Sequence, residues 1–182
     1  MKNIKALLSQ NAVTVAEEII GWKLYVLEPD GSKTGGIIIE TEAYTQDDAA
    51  SHSYNGETER NKIMFAAAGT VYVYFTYGMH WCMNIVTGPK GSGEAVLIRA
   101  LVPDTGIKHI KQRRNGRPPA ELTNGPAKIC QALNVGALDN GLAINQGRLV
   151  LLPPESEPHV RATPRVGIKR NQDALWRFVL TD

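Results

Sequence analysis

The stretch Gly69-Thr-Val-Tyr-Val-Tyr-Phe-Thr-Tyr-Gly-Met-His-Trp-Cys-Met-Asn84 predicts a β-hairpin. Residues 71–75 are all β-branched or aromatic, the side chains that pack well on a pleated surface. Alternation places Tyr72, Tyr74 and Thr76 on one face and Val71, Val73 and Phe75 on the other. Gly78 can take a positive φ, so Tyr77-Gly-Met-His80 turns the chain and residues 81–87 return as a second strand. Hairpin tips are commonly Asn, Asp, Gly or Ser, whereas this one carries Tyr77, Met79, His80 and Trp81. Such a tip either folds back onto the body as core or presses into something else.

Upstream, Gly36-Ile-Ile-Ile-Glu-Thr-Glu-Ala-Tyr44 reads as a buried strand that ends in two carboxylates and a phenol. The period of two puts Glu40, Glu42 and Tyr44 on one face. Carboxylates at the end of an apolar strand cost free energy unless they are paired or used. Downstream, residues 94–102 form another apolar strand, interrupted by Arg99, which needs an anion or several carbonyls as partners. Between these strands, residues 46–57 are polar, with His52 in their middle, and predict a long loop. Residues 58–68 predict a short helix containing Arg60 and Asn61.

Elsewhere, residues 7–9 and 14–20 predict short helices, with Thr14 as N-cap and Gly21 as stop. Residues 23–27 predict a strand, residues 103–113 a basic helix and residues 115–122 a loop. A helix over residues 124–133 has Pro126 near its start; its first turn and Lys128 are a candidate phosphate seat or an ordinary capped end. Residues 149–152, 165–168 and 175–180 predict short strands. Strands with interspersed short helices, and no regular βαβ rhythm, give an α+β chain organised as one domain over residues 1–182.

Composition narrows the class. No run of about 18 apolar residues exists, so no transmembrane helix is expected, and the N-terminal apolar patch is too short for a signal peptide. A cytoplasmic location follows, nucleoid-associated in a bacterium. Cys82 and Cys130 stand far apart, and the four histidines lack HxxH or HExxH spacing, so neither a disulfide framework nor a metal site is expected. The net charge of +2 is uneven: residues 1–60 hold five basic against ten acidic side chains, and residues 61–182 fifteen against eight. The basic residues between Arg99 and Lys128 suit a phosphate backbone or, equally, a solvated face.

Glu42, Tyr44, His52, Tyr72, Tyr74, Asn84 and Arg99 together suit a flat, polarisable ligand such as a purine. Aromatic rings stack on a base for about 1–3 kcal/mol each, and hold a cationic base better still. A carboxylate in apolar surroundings can act on water as a general base. The residues alone lead to hydrolysis or binding of an aromatic ring, on nucleic acid or free.

Seven motifs in order resemble the alkyladenine (methylpurine) DNA glycosylase family. They are Glu40-Thr-Glu-Ala-Tyr44, Ala49-Ala-Ser-His-Ser53, Arg60-Asn-Lys-Ile-Met-Phe65, the hairpin through Met79, Cys82-Met-Asn84, Val96-Leu-Ile-Arg-Ala-Leu101 and Asn124-Gly-Pro-Ala-Lys-Ile-Cys-Gln-Ala-Leu133. The resemblance implies a single compact domain with a curved, mostly antiparallel sheet, surrounding helices and a protruding hairpin. It implies a monomeric, cofactor-free and metal-free enzyme that flips a damaged purine out of double-stranded DNA. The N-glycosidic bond would be hydrolysed without lyase chemistry, leaving an abasic site. By position, Glu42 matches the general base and Arg99 a residue that helps hold the attacking water. Tyr44, His52 and Tyr74 match the rings that sandwich the flipped base, and Asn84 the side chain that rejects the guanine 2-amino group. Tyr77, broadened by Met79 and His80, matches the wedge that fills the gap in the stack. Lys128 and Arg60 are candidates for contact with the DNA backbone. A non-catalytic lesion-binding module is the rival reading. The hairpin departs from the family pattern at Met79-His80-Trp81.

Overall fold

The structure, a computed structural model, describes residues 3–181; residues 1, 2 and 182 of the expected domain lie outside them. The described residues fold as one curled antiparallel sheet of eight strands with a few short helices, an α+β domain as expected. In chain order the strands are β1 (Lys23–Leu27), β2 (Lys33–Tyr44), β3 (Val71–Thr76), β4 (His80–Thr87), β5 (Glu94–Thr105), β6 (Leu149–Leu152), β7 (His159–Thr163) and β8 (Arg177–Thr181). They lie side by side as β3-β4-β5-β2-β1-β6. β8 pairs with the far end of β2 beyond β1, and β7 pairs with β8.

β2 is therefore the axis of the molecule. Its first half pairs with β1 and its second half with β8, while β5 runs along the other edge. Three backbones converge tightly at its start. A Cβ at Gly35 would lie 2.1 Å from the Leu24 carbonyl oxygen, and one at Gly36 would lie 2.0 Å from that of Val102. Only glycine fits there.

Four α-helices pack on this frame: α1 (Ile4–Leu8), α2 (Ala12–Glu18), α3 (Ile107–Arg113) and α4 (Pro126–Ala132). The concave side holds the core, where α2 meets β2 and β5 while α4 meets β4 and β5. Val15, Ile19, Trp22, Ile38, Val71, Ile85, Ile98 and Ile129 are buried there. Each such aliphatic side chain contributes roughly 1.5–3 kcal/mol relative to exposure. Met64, Phe65, Tyr72, Val86 and Ala95 form a smaller cluster behind the hairpin.

Several local expectations are corrected. α2 begins at Ala12 with Asn11 as its cap, accepting from the Thr14 N–H at 3.0 Å, so Thr14 lies inside the helix. α1 spans Ile4–Leu8, so it begins before the stretch expected to be helical and shares only Leu7 and Leu8 with it. The helix expected over residues 58–68 shrinks to one 3-10 turn, Lys62–Phe65. Asn61 competes with it, accepting from the Thr58 N–H and donating to the carbonyls of His52 and Gly56. β5 continues through Pro103 to Thr105, because the chain there still pairs with Gly36 and Gly35, and Gly106 at φ 67° separates it from α3. Residues 165–168 form no strand. The strand in that region is β7, followed by Pro164 and by Gly167 at φ 78°.

Candidate functional site

A cleft of about 390 Å³ opens between the hairpin, the last turn of β2 and the segment joining β7 to β8. Glu42 is fully buried, at 0% exposure, and bonds to Tyr44, Arg99 and Val166, which line the cleft. Alternation along β2 does place Glu40, Glu42 and Tyr44 together. The Tyr44 hydroxyl donates to Glu42 Oε2 at 2.8 Å, and Arg99 bridges both carboxylates, Nε to Glu40 at 2.9 Å and Nη1 to Glu42 Oε2 at 3.1 Å. The β2–β5 ladder slips by one residue at Ile39 and slips back at Arg99. Irregularities of this kind re-aim a side chain, and this one turns Arg99 toward the carboxylates.

The remaining Glu42 oxygen, Oε1, accepts from the Val166 N–H at 2.7 Å. A carboxylate offers about four acceptor positions. Among the described residues, three hydrogen bonds reach Glu42. Burial, then the charge and hydrogen bond of Glu42, push the Tyr44 phenol far above its ordinary pKa, so it stays a donor. Glu40 differs. Burial raises its pKa, but Arg177 (Nε to Oε1, 2.6 Å) and Arg99 outweigh that and hold it below the usual carboxylate value.

Aromatic rings form the wall opposite Tyr44. Tyr72 and Tyr74 stand side by side on β3, centroids 5.6 Å apart, and His52 meets Tyr74 edge-on at 4.6 Å. His52 Nδ1 and the Tyr72 hydroxyl share a hydrogen bond of 3.1 Å. His52 as a whole is exposed, yet its ring is crowded against these tyrosines. That loss of hydration, with the charge of Arg60, lowers the imidazole pKa. Burial pushes the Tyr72 phenol up to about 12, against the opposing charge of Arg60. Asn61 fixes the His52 carbonyl at 2.7 Å, and the Ser53 hydroxyl donates to the Gly93 carbonyl at 2.6 Å, so both flanks of His52 are tied down. Asn84 lies opposite Tyr72 on β4 and is nearly buried. Its Nδ2 donates to the Tyr72 carbonyl at 3.1 Å, and the residue lines the cleft floor.

The hairpin tip does not fold back onto the body. Tyr77 is 87% exposed at the cleft rim and Met79 68%, with Tyr77 at φ 52° and Gly78 at φ 66°. Met79, His80 and Trp81 face away from the cleft, into a second groove against α4. Arg60 is exposed, and its charge reaches His52 and Tyr72. Lys128 Nζ donates to Asn124 Oδ1 at 2.7 Å. Much of the expected basic patch is engaged internally. Arg113 pairs with the buried Glu28 at 2.9 Å, and Arg114 is held by Gln131 and the Glu121 carbonyl.

Arg165, Asp48, Val166 and Arg177 are contributors to this site that sequence reasoning missed. Asp48 and Arg165 are 117 residues apart, and no local pattern joins them. Among the described residues, no group of three or more His, Cys, Asp or Glu could hold a metal ion, and no helix is long and apolar enough to cross a membrane.

The family profile described as "Methylpurine-DNA glycosylase (MPG)" matches residues 6–182. A protein of Rhodopseudomonas palustris is 44% identical over 168 residues, covering 92% of this chain and 79% of its own. One from Carboxydothermus hydrogenoformans is 43% identical over 175 residues, 94% of this chain and 91% of its own. One from Francisella tularensis is 41% identical over 187 residues, 100% of this chain and 96% of its own. All three carry the provisional name 3-methyladenine DNA glycosylase. The chain belongs to the methylpurine-DNA glycosylase family.

Proposed function

From that membership and the geometry of the cleft, we propose that this chain is a DNA glycosylase. It flips a damaged purine from duplex DNA and hydrolyses the bond to its sugar. The observation that carries the proposal is the buried Glu42 carboxylate, held by Tyr44, Arg99 and the Val166 N–H, three residues that themselves line the aromatic cleft. A water there gives its proton to Glu42 as its oxygen bonds to the sugar C1′. The C1′–N bond breaks, and its electron pair leaves with the base. The carboxylate also stabilises the positive charge that develops on the sugar. Among the described residues the cleft is lined by no lysine, which supports hydrolysis by water over Schiff-base chemistry and strand cutting.

The aromatic walls select the substrate class. Tyr44 on one side, with His52 and Tyr74 on the other, suit alkylated adenine or guanine, hypoxanthine and ethenoadenine, and hold a cationic methylated base best. Asn84 disfavours normal guanine through a clash with its 2-amino group. Tyr77, backed by Met79 and His80, enters the minor groove and replaces the extruded base. Arg60 and Lys128 contact the backbone. One pocket serves one lesion, so a monomer suffices, and the location is cytoplasmic, on the nucleoid in a bacterium.

Single-turnover release from a duplex with one hypoxanthine, read by alkaline cleavage, tests the proposal, with a 3-methyladenine duplex in parallel. The wild type releases the base, and Glu42→Gln binds the duplex without releasing it. Binding without release by both proteins, on every lesion, would replace the enzyme with a lesion-shielding module. Full activity in Glu42→Gln would move the base to Glu40.

A further inference from the structure

We propose that the Arg165–Asp48 pair is a positioning device for Glu42, setting the groups that hold both of its oxygens. This rests on the reading of Glu42 as the water-activating base. Both side chains are 0% exposed, so neither touches a bound base. Asp48 lies in the loop that leads from β2 to His52, and Arg165 lies between β7 and β8.

The pair is fully knitted on the Asp48 side. Asp48 Oδ1 accepts from Arg165 Nη2 and Asn171 Nδ2 at 3.0 Å each and from the Ala50 N–H at 3.1 Å, while Oδ2 accepts from Arg165 Nη1. The guanidinium then acts in two directions. Nη1 donates to the Ala43 carbonyl at 2.9 Å, and the guanidinium carbon lies 4.8 Å from the Tyr44 ring centroid and 5.1 Å from that of Trp176. Tyr44 donates to Glu42 Oε2, and Val166, the next residue along from Arg165, donates its N–H to Oε1. Each Glu42 oxygen is thus addressed by a group that Arg165 locates.

An apolar plug would fill the same space without the desolvation cost of a buried ion pair, and Arg165 Nε is itself buried without a partner. What a plug lacks is a rigid planar fork that stacks on a ring while fixing a carbonyl and a carboxylate. A misplacement of about 1 Å in such a constellation can cost about 100-fold in rate.

Arg165→Lys and Asp48→Asn test this through two readouts. In the free protein, amide hydrogen exchange at Val166 should accelerate at least about tenfold while Ile98, in the core, stays protected. On the hypoxanthine duplex, the saturated single-turnover rate should fall about 100-fold with affinity within about threefold of wild type. Unchanged Val166 exchange and unchanged release in folded variants would overturn the proposal. So would a rate that falls only in step with affinity. Should either variant fail to fold, Trp176→Leu, which removes one stacking face and leaves the ion pair, should show both effects in milder form. A wild type that releases no base from any lesion would defeat the proposed function, and the exchange readout would still decide the positioning role.

Discussion

Arg99 holds Glu40 and Glu42 at once, Nε to the first at 2.9 Å and Nη1 to the second at 3.1 Å, yet the two carboxylates are not equivalent. Glu40 has a second arginine, Arg177, at 2.6 Å and keeps some contact with solvent. Glu42 has none of either and is held by a phenol and a backbone amide. Replacing Glu40 by Gln should leave Arg99 anchored on Glu42 and lower single-turnover release by no more than about tenfold. Replacing Glu42 by Gln should lower it by about 1,000-fold, within the range for a lost general base. Equal losses in the two variants would contradict the division of roles.

Tyr77 separates activity from stability. Its side chain is almost wholly in solvent and its backbone is left-handed, which costs a non-glycine residue roughly 1–2 kcal/mol. Tyr77→Gly should therefore hold or raise the thermal midpoint while base release falls at least about tenfold, because nothing then fills the stack. Differential scanning calorimetry and the hairpin variant's release rate check the two halves. A fall in the midpoint would mean that the ring packs in the free protein after all.

Salt dependence distinguishes arginines that meet DNA from those that hold the fold. Arg60→Ala should flatten the plot of log affinity against log salt by about 0.9, the contribution of one phosphate contact. Arg113→Ala should leave that slope alone and lower the thermal midpoint, since it removes one of the two arginines paired with the largely buried Glu28 side chain. A changed slope for Arg113→Ala would move the DNA footprint onto α3.

Acid should unfold the protein through the cleft carboxylates. Burial raises the pKa of Glu40 and of Asp48, but Arg177 and Arg99 on the first, and Arg165 with Asn171 on the second, bring both below their ordinary values of 4.5 and 3.8. The unfolded chain then takes up these protons at higher pH than the folded one. Their contribution is complete above about pH 4.5 and is lost as pH falls through the depressed folded values. Thermal midpoints between pH 7 and pH 3 should show this decline, and Glu40→Gln should show a shallower one.

Strand periodicity made much of this site legible. The two-residue repeat from Glu40 to Tyr44 brought carboxylates and phenol to one face, and the repeat from Tyr72 to Thr76 built the opposite wall. Both are local consequences of the pleat. The supports were hidden because they depend on pairing between distant parts of the chain. Asp48 and Arg165 meet only because β8 lies against the second half of β2. Asn61 shortened a predicted helix by spending its amide on the His52 loop, a tertiary demand that helix propensity does not register.

The placement of β8 beside β2 has a consequence for how the protein is made. Glu40, Glu42 and Tyr44 leave the ribosome well before Arg165, Val166 and Arg177, which lie far along the chain from them. Folding during synthesis proceeds from the N-terminal side. The hairpin and the central strands can form while the carboxylates still lack two of their partners, Val166 and Arg177. The cleft is completed only once β8 has been made, so a translation product interrupted before Arg165 carries the walls of the pocket without its working floor.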